Sequence, residues 1–450
     1  MFSSLIRYRP DRASHQRVWQ LAWPMMLSNI TVPLLGLVDT AVMGHLPEPR
    51  YLAAIAVGGV IFTSIYWTFG FLRMGTTGLV AQAHGRDDGS GIRRYLGQSL
   101  LIASVIGILI WLLRGPLIEL ALQLTGAAPD VIDEARRYAL IRAWGAPAVL
   151  CNFVLLGWFV GNQNTRIPLL LLTLTNVINI VLNLLFVFGL GMRTEGVALG
   201  TVIAEYASLL MGLWFCRKLL LNLSGEFKAK ALLYWHDYAE LFHVNRYLFV
   251  RTLLLLFCFA FFTAQGARMG TDVVAANAVL LNFLMLISHA LDGFAHATEA
   301  LAGRALGRKK KRDFYQIILT ATLWSLISAM LITLFFAIAG ETVISWLTSI
   351  NEVRAIAGQY LPWLVALPLL AVWSYLLDGI FIGTTQVKVM QNTMIISVIL
   401  VFLPVWWLTQ GMGNHGLWLA FSSFFIARSL TGGWVYWRLT QQNRWGLAPE

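Results

Sequence analysis

The chain of 450 residues contains twelve long apolar stretches separated by short polar segments. A helix that crosses a bilayer needs about 20 predominantly apolar residues, because the hydrocarbon core is about 30 Å thick and a helix rises about 1.5 Å per residue. Unpaired backbone groups cannot face lipid, and no continuous period of two residues indicates strands. We therefore predict an all-α integral membrane protein with twelve transmembrane helices. The predicted spans are 16–43, 51–83, 93–113, 131–160, 166–190, 196–219, 241–268, 272–304, 313–339, 353–382, 390–408 and 415–438.

The charge of the chain supports this class of protein. Charged residues make up only 12% of the sequence, which is too little polar surface to cover a soluble globule. The formal charge is +11, but its basic residues cluster before the first span, after the second and after the eighth. This distribution follows the positive-inside rule and predicts cytoplasmic termini. We expect a multi-pass protein of the bacterial inner membrane. Its partner is then the lipid bilayer, and we expect it to bind no nucleic acid.

An internal repeat divides the chain into two halves. Six spans per half is an even number, so both halves enter the membrane in the same direction, an arrangement typical of alternating access around a central cavity. We predict an N-terminal lobe over 1–219, a C-terminal lobe over 241–450, and a cytoplasmic linker over 220–240 that forms an interfacial helix. The matches occur at one constant offset in the numbering and include Ala53 with Ala275, Gly85 with Gly307, Gly157 with Gly379, and Gly161 with Gly383.

The first span carries an acid in a helix that can bend. A charge at the bilayer centre costs about 2.5 to 3.5 kcal/mol on insertion scales, so ionisable residues in spans mark transport pathways or coupling sites. Asp39 lies toward the outer end of this span, and Pro24 and Pro33 each remove a backbone donor from it. The pattern favours a conformational switch, in which the helix bends and the acid changes its surroundings. The alternative is a structural role, in which Asp39 only caps polar neighbours near the outer surface.

Polar residues in the fifth and sixth spans are candidates for the same site. Asn176, Asn179 and Asn183 follow i, i+3 and i+7, so they share one helical face. Thr201 and Glu205, one turn apart, would complete a polar pocket with the first-span acid if these helices pack together. For the asparagines alone, interhelical hydrogen bonding is an equally good explanation.

The eighth span has a longer and more acidic stripe. His289, Asp292, His296 and Glu299 lie on one helical face, with Asn282 two turns earlier. No HExxH or comparable ligand pair is present, so we expect a path for a proton or a cationic substrate rather than a metal site. A purely structural network is the alternative.

The remaining ionisable residues within spans are one acid and four arginines. Asp378 in the tenth span is a further candidate for the substrate cavity. Arg73, Arg142, Arg251 and Arg428 are scattered singly over four predicted helices, whereas the acids form stripes. This contrast favours a cationic or neutral substrate.

Several motifs resemble the DinF branch of the MATE (multidrug and toxic compound extrusion) transporters, nearly from end to end. The resemblance implies an ion-driven antiporter that expels amphipathic, often cationic compounds, with Asp39 at the coupling site and Asn179 and Asn183 as its partners. Many DinF-like proteins carry aspartate at the position of Asn183. The motifs are Ser28-Asn29-Ile30-Thr31-Val32-Pro33-Leu34-Leu35-Gly36-Leu37-Val38-Asp39-Thr40-Ala41 after Pro24, Leu155-Leu156-Gly157-Trp158, Asn179-Ile180-Val181-Leu182-Asn183, and Leu376-Leu377-Asp378-Gly379.

That difference at Asn183 bears on the coupling ion. Sodium bound by several oxygens gains from a second carboxylate, whereas a proton needs only one acid. We therefore expect proton coupling, with sodium as the alternative, in a monomer that needs no cofactor.

A flippase for lipid-linked precursors, which the same superfamily contains, is the main rival function. A pyrophosphate carrier should line its cavity with arginine. An intramembrane enzyme has little support, because no nucleophile elbow, metal-ligand spacing or phosphate loop is present.

Overall fold

The structure is a computed structural model that describes residues 8–44, 49–125, 129–226, 232–348 and 350–448. Within these ranges the side chains of 32–41, 43–44, 49 and 125 lie outside the description, which includes the side chains of Pro33 and Asp39. The described residues are predominantly helical, and no β-strand occurs among them. This secondary structure agrees with the prediction made from the apolar stretches.

The first half of the chain contains the predicted spans 1 to 6. A 3₁₀ turn, Ala143–Gly145, interrupts the fourth span, and a π-helical turn, Leu185–Gly189, ends the fifth. One short helix, α5, lies where the sequence predicted only a connection. The helices are α1 (Arg12–Gly44), α2 (Pro49–Thr68), α3 (Phe71–Gly85), α4 (Gly89–Leu112), α5 (Arg114–Thr125), α6 (Pro129–Arg142), α7 (Ala146–Gly161), α8 (Arg166–Leu184) and α9 (Thr194–Leu221).

The second half contains the predicted spans 7 to 12. A π-helical segment, Ile396–Phe402, interrupts the eleventh span, as a π-turn ends the fifth. The helices are α10 (Ala239–Arg268), α11 (Thr271–Gly307), α12 (Lys311–Leu347), α13 (Asn351–Gly383), α14 (Val387–Ile395), α15 (Leu403–Thr409) and α16 (Asn414–Gln441).

The helices fall where the twelve spans were predicted. In the part of the chain that the structure describes, ten helical segments are long and apolar enough to cross a membrane. Helices α1 and α16 occupy the positions of the predicted first and twelfth spans. The second and fourth spans each consist of two consecutive helices, α2 with α3 and α6 with α7.

Helix α1 begins at a side-chain cap. The Asp11 carboxylate accepts the backbone N–H of Ser14 at 2.8 Å and its hydroxyl at 2.7 Å. Such a cap satisfies one of the backbone donors that have no partner in the first turn of a helix. The same hydrogen bonds hold the pKa of Asp11 below its usual value.

Two compact units make up the fold, and the division between them falls within α1. One unit is Leu27–His243, and the other combines Met1–Met26 with Val244–Glu450. The first turns of α1 therefore pack with helices of the second half: the Trp19 ring lies 5.4 Å from the ring of Phe294 and 5.1 Å from that of Trp324. The Leu27–His243 unit thus begins inside the first span, whereas the predicted lobe 1–219 begins before it.

The connecting segment docks on the start of α4. The Tyr95 hydroxyl donates to Glu240 at 2.5 Å, and the Gln98 amide donates to the carbonyl of Asp237 at 3.0 Å. A 3₁₀ turn, Trp235–Tyr238, leads directly into α10 in place of the predicted separate interfacial helix, as far as the segment is described. Trp235 is 76% exposed, as expected of a side chain at a membrane surface.

The internal repeat is visible in backbone detail. Asp87 (φ 54°) and Lys309 (φ 57°) both adopt the left-handed conformation just after a helix, and the offset of the repeat relates one to the other. Gln163 (φ 61°) and Thr385 (φ 55°) form a second pair at the same offset. In all four turns the following N–H returns to a carbonyl of the last helical turn at 2.8 to 3.0 Å, which is the Schellman pattern.

Repeated glycines bring corresponding helices into backbone contact. A Cβ atom on Gly157 would overlap the carbonyl oxygen of Arg73, and a Cβ on Gly379 would overlap that of Ala295. Both members of the first contact are related to those of the second by the offset of the repeat. The pairs α3/α7 and α11/α13 therefore use the same close packing, in which only glycine fits.

We expect Gly379→Ala to destabilise the protein, because the new methyl group would overlap a backbone oxygen that cannot move independently of α11. Overpacking of this kind costs about 1 to 3 kcal/mol. The matched control is Gly358→Ala in the same helix, where an added Cβ has no atom within 4 Å. Thermal melting of the purified protein in detergent tests the difference. Equal melting temperatures for the two variants would contradict the packing argument.

Candidate functional site

Three of the predicted site residues form a buried hydrogen-bonded series in the Leu27–His243 unit. The amide of Asn183 donates to the side-chain oxygen of Asn179 at 3.0 Å, and the amide of Asn179 donates to the Thr201 hydroxyl at 2.8 Å. The hydroxyl in turn donates to the carbonyl of Val197 at 2.9 Å. Asn179 and Asn183 are completely buried, and Thr201 is 3% exposed. We call Asn179, Asn183 and Thr201 the asparagine chain.

Helix α9 has a small residue where it faces the asparagine chain. A Cβ atom on Gly200 would lie 2.5 Å from the Asn183 side-chain oxygen, so the close approach of α8 and α9 requires glycine here. A buried amide costs several kcal/mol unless it is hydrogen-bonded, and the short distance between the helices lets each amide reach the next. The result is a fixed polar path between two apolar helices.

Asn176 connects α8 to the first helix. Its amide donates to the backbone carbonyl of Thr31 at 3.0 Å. This bond uses a carbonyl on α1 eight residues before Asp39, whose side chain lies outside the described atoms. The predicted fifth-span stripe therefore contacts both of the helices that the sequence assigned to the coupling site.

Glu205 has a charged partner that the sequence did not indicate. Its carboxylate lies 2.9 Å from a guanidinium nitrogen of Arg142, and both side chains are largely buried, at 12% and 8% exposure. Gly145 allows this approach, since a Cβ there would overlap the carboxylate. The guanidinium also lies over the ring of Phe62 at 5.5 Å. Thr201 thus belongs to the asparagine chain, whereas the next turn of α9 carries an ion pair.

The eighth-span stripe becomes more buried along α11. Asn282 is exposed, His289 and Asp292 are half-buried, and His296 and Glu299 are 9% and 1% exposed. His289 Nδ1 lies 2.6 Å from the carbonyl of Met285 in its own helix. The stripe shares one helical face as predicted, and its roles in the cavity stay predictions.

Asp378 lies between two arginines in the other unit. Guanidinium nitrogens of Arg251 on α10 and Arg428 on α16 both contact its Oδ2 atom, at 2.5 Å and 2.7 Å. The view of the four arginines as scattered singly is therefore wrong for these two, because helices distant in sequence bring them together. Sequence spacing contained no signal for this convergence. We call Arg251, Asp378 and Arg428 the arginine triad.

A second polar cluster in the same unit was missed by sequence reasoning. Asn277 and Asn414 exchange amide hydrogen bonds of 2.8 and 2.9 Å, and the Trp418 indole donates to the Asn277 oxygen at 2.9 Å. Both asparagines are buried. Asn277 stands among apolar neighbours and Asn414 begins its helix, so no polar stripe marks either. The two side-chain amides bond to each other between α11 and α16, which indicates a structural role in stabilising the packing of these two helices.

Comparison with protein families identifies the chain. The family model described as MatE matches residues 24–185 and 248–408, which are two copies of one pattern. The chain belongs to the MATE family. It is 44% identical to DNA damage-inducible protein F of Escherichia coli K12 over 97% of this chain and 95% of that protein. It is also 26% identical to a probable multidrug resistance protein NorM of Synechococcus, over 97% and 96% of the two chains.

Solved structures share the fold. A MOP superfamily transporter from Pyrococcus furiosus superposes with a TM-score of 0.87 at 20% identity, covering 98% of each chain. An outward-facing multidrug resistance MATE family transporter gives 0.84 at 20% identity, covering 97% of this chain and 98% of its own. The predicted fold of two pseudo-symmetric six-helix bundles is confirmed, as is the predicted family. MATE proteins are transporters, so the chain is a transporter and not an intramembrane enzyme.

Breaking the Arg142–Glu205 pair should cost more than removing it. We expect Arg142→Gln or Glu205→Gln to lower the free energy of unfolding by about 3 to 5 kcal/mol, because each leaves a buried charge without its partner. The double variant Arg142→Met/Glu205→Leu should recover most of that loss. Thermal melting in detergent is the measurement. Arg136→Gln, in an exposed ion pair on the same helix, should change little, and additive losses in the double variant would contradict the expectation.

Proposed function

We propose that this MATE transporter exports amphipathic, often cationic compounds from the bacterial cytoplasm in exchange for protons, by alternating access. In this proposal Asp39 is the acid that couples transport to the proton, and the asparagine chain provides polar groups next to it. The protein works as a monomer in the inner membrane with both termini in the cytoplasm. The names of the NorM relatives, as multidrug resistance proteins, support small toxic compounds as substrates.

The hydrogen bond from Asn176 to Thr31 carries the proposal. The first and fifth spans run in the same direction, because spans alternate in direction and both are odd-numbered. From Thr31 to Asp39 the chain rises eight residues, about 12 Å, and from Asn176 to Asn183 it rises seven, about 10.5 Å. Starting from a shared contact, the two helices thus reach Asp39 and Asn183 at a similar depth. This equal depth supports an interaction between the first-span acid and the asparagine chain.

The partners of the nearby groups favour a proton over sodium. Position 183 is an amide, and the acid on the same helix as Thr201, Glu205, is already paired with Arg142. A sodium site gains from two carboxylates, and of the two acids that the sequence placed in this pocket only Asp39 then remains to act on an ion. A single acid that exchanges one proton fits such a site.

The proposed cycle uses the proline-containing first helix. Protonation of Asp39 from the outside removes its charge, α1 bends at Pro24 and Pro33, and the affinity for substrate falls. Release of the proton toward the cytoplasm restores the binding state. The membrane potential contributes about 2.3 kcal/mol per charge per 100 mV, which is enough to bias such a two-state helix.

A flippase is the second candidate, and the arginine triad is the observation that favours it. Pyrophosphate lipids carry at least two negative charges, and their carriers need several free guanidiniums. In the triad one carboxylate neutralises one of two arginines, which leaves a single net positive charge. This count matches one anionic group better than a pyrophosphate, so export of small amphiphiles is the preferred function.

Proton exchange should depend on Asp39. We expect ethidium, a cationic amphiphile, to release protons from acidified everted vesicles of the parent, and Asp39→Asn to abolish most of this release because the amide cannot take up a proton. Dequenching of an acridine dye measures it. Asp133→Asn, at an exposed acid with 71% side-chain exposure, is the control and should behave as the parent. Equal release by Asp39→Asn and the parent would refute the role of Asp39.

Restoring a second carboxylate should change the coupling ion. We expect Asn183→Asp to make ethidium efflux responsive to sodium, since two acids at similar depth can hold a cation that one cannot. Efflux is measured in proteoliposomes with an imposed sodium gradient and no pH gradient. The parent should show no such stimulation, and Asn176→Asp, whose amide contacts the Thr31 carbonyl instead, is the matched control. Sodium-driven efflux by the parent itself would contradict proton coupling.

A further inference from the structure

The arginine triad has an unusual balance of charge for a buried site. Arg251 and Arg428 are 7% and 5% exposed, and among the described side chains one carboxylate, that of Asp378, forms ion pairs with them. The three bonded groups therefore carry a net charge of +1 inside the helices of a membrane protein. An excess of positive charge among bonded groups in such a place is costly, so proteins keep it where it has a function.

The hydrogen-bond donors of the triad are only partly used. Each guanidinium has five N–H groups in a planar fork that suits carboxylate and phosphate oxygens. Both arginines reach Asp378 through Nη2, and both meet the same oxygen atom. The Nε atom of Arg251 is buried and has no hydrogen-bond partner among the described atoms. Donors of this kind are strongest when they meet an anionic oxygen.

Other polar groups surround the triad. Tyr375, one turn before Asp378 on α13, shares a 2.6 Å hydrogen bond with Ser288 on α11. The Tyr375 hydroxyl lies within electrostatic range of Asp292, Arg428 and Asp378. Asp292 is therefore a second acid that acts electrostatically on this region.

The triad is closed on one side and accessible on another. The Arg428 guanidinium lies over the rings of Phe424 and Phe425, at 5.4 Å and 5.8 Å, so aromatic side chains cover one of its faces. The Asp378 side chain is 20% exposed, in contrast to 8% and 4% for the two arginine side chains. Asp378 is therefore the most exposed group of the triad, and the Arg428 guanidinium is the one covered by aromatic rings.

We propose that the arginine triad recognises one anionic group, a carboxylate or a phosphate, on an amphipathic molecule. Asp378 holds the two guanidiniums in place when no ligand is bound, and the anion then uses their remaining donors. This inference rests on the proposed function in that it assigns part of the substrate's chemistry. With a cationic group elsewhere in the molecule, the compound would be zwitterionic.

Three probes that share one aromatic body test the proposal. They are 4-(1-pyrenyl)butyrate, the corresponding uncharged alcohol, and the corresponding trimethylammonium compound. Binding to the protein in phosphatidylcholine nanodiscs is measured by equilibrium dialysis, and binding to empty discs is subtracted. We expect the butyrate to bind at least about 10-fold more tightly than the alcohol, as one charge-assisted hydrogen bond provides. Equal affinities for the butyrate and the alcohol would overturn the proposal.

Variants of opposite charge separate recognition from structural support. Arg251→Gln and Arg428→Gln should weaken butyrate binding about 10-fold or more and leave the ammonium compound unchanged. Asp378→Asn should tighten butyrate binding, because it raises the net charge of the triad to +2. Arg438→Gln, at an exposed arginine of α16 that lies over Trp434, is the matched control. Equal weakening of all three probes by Arg428→Gln, or weaker butyrate binding in Asp378→Asn, would show a structural role only.

The source of the anionic group is tested with lipid. Loss of butyrate binding when phosphatidylglycerol is added to the discs assigns the site to a lipid phosphate, and retention assigns it to a transported compound; both outcomes require the anion site. Binding is measured without a proton gradient. If ethidium releases no protons but butyrate still binds, the result counts against the proposed antiport alone. If ethidium releases protons but butyrate does not bind, the result counts against the triad alone.

Discussion

An ionised group inside a membrane-spanning helix is stabilised by polar or charged groups on other helices, because the bilayer cannot solvate it. In this transporter that requirement determines how the helices are joined. Arg142 at the end of α6 meets Glu205 on α9 at 2.9 Å, and Arg251 and Arg428 bring α10 and α16 to Asp378 on α13. Each contact links helices that are far apart in the sequence. These links hold the apolar helices in one register, since lipid and apolar side chains alone give little preference for one helix neighbour over another.

The internal repeat keeps the backbone and changes the chemistry. The contact of Gly157 with Arg73 and that of Gly379 with Ala295 are related by the offset of the repeat and have the same spacing. Around this shared frame, the Leu27–His243 unit carries neutral amides in α8, whereas the Val244–Glu450 part of the other unit carries a positive triad. Backbone contacts constrain glycine positions strictly. Side chains that face away from those contacts are free to differ, so one architecture carries two polar sites of different charge.

Much of the fold could be predicted because a bilayer leaves few solutions. Twelve apolar stretches of spanning length require twelve helices, and the constant offset between matching positions relates them as two halves. The breaks within spans were harder to predict: the 3₁₀ turn at Ala143–Gly145 and the π-helical segment at Ile396–Phe402 each lie just before a proline, Pro147 and Pro404. A proline removes a backbone donor, but it does not specify which kind of turn forms. The short helix α5 was missed because its 12 residues are too few to span a membrane.

The sequence by itself determined the class of protein, the helices, the repeat and the shared face of Asn176, Asn179 and Asn183, because helical periodicity and hydrophobic length are local properties. Only the tertiary structure decided which groups meet. It paired Glu205 with Arg142, and it brought two arginines that are far apart in sequence together around Asp378. Ion pairs form between helices through packing angles and depths that no spacing along one helix encodes. The charge of each site therefore became known only when the helices were placed together.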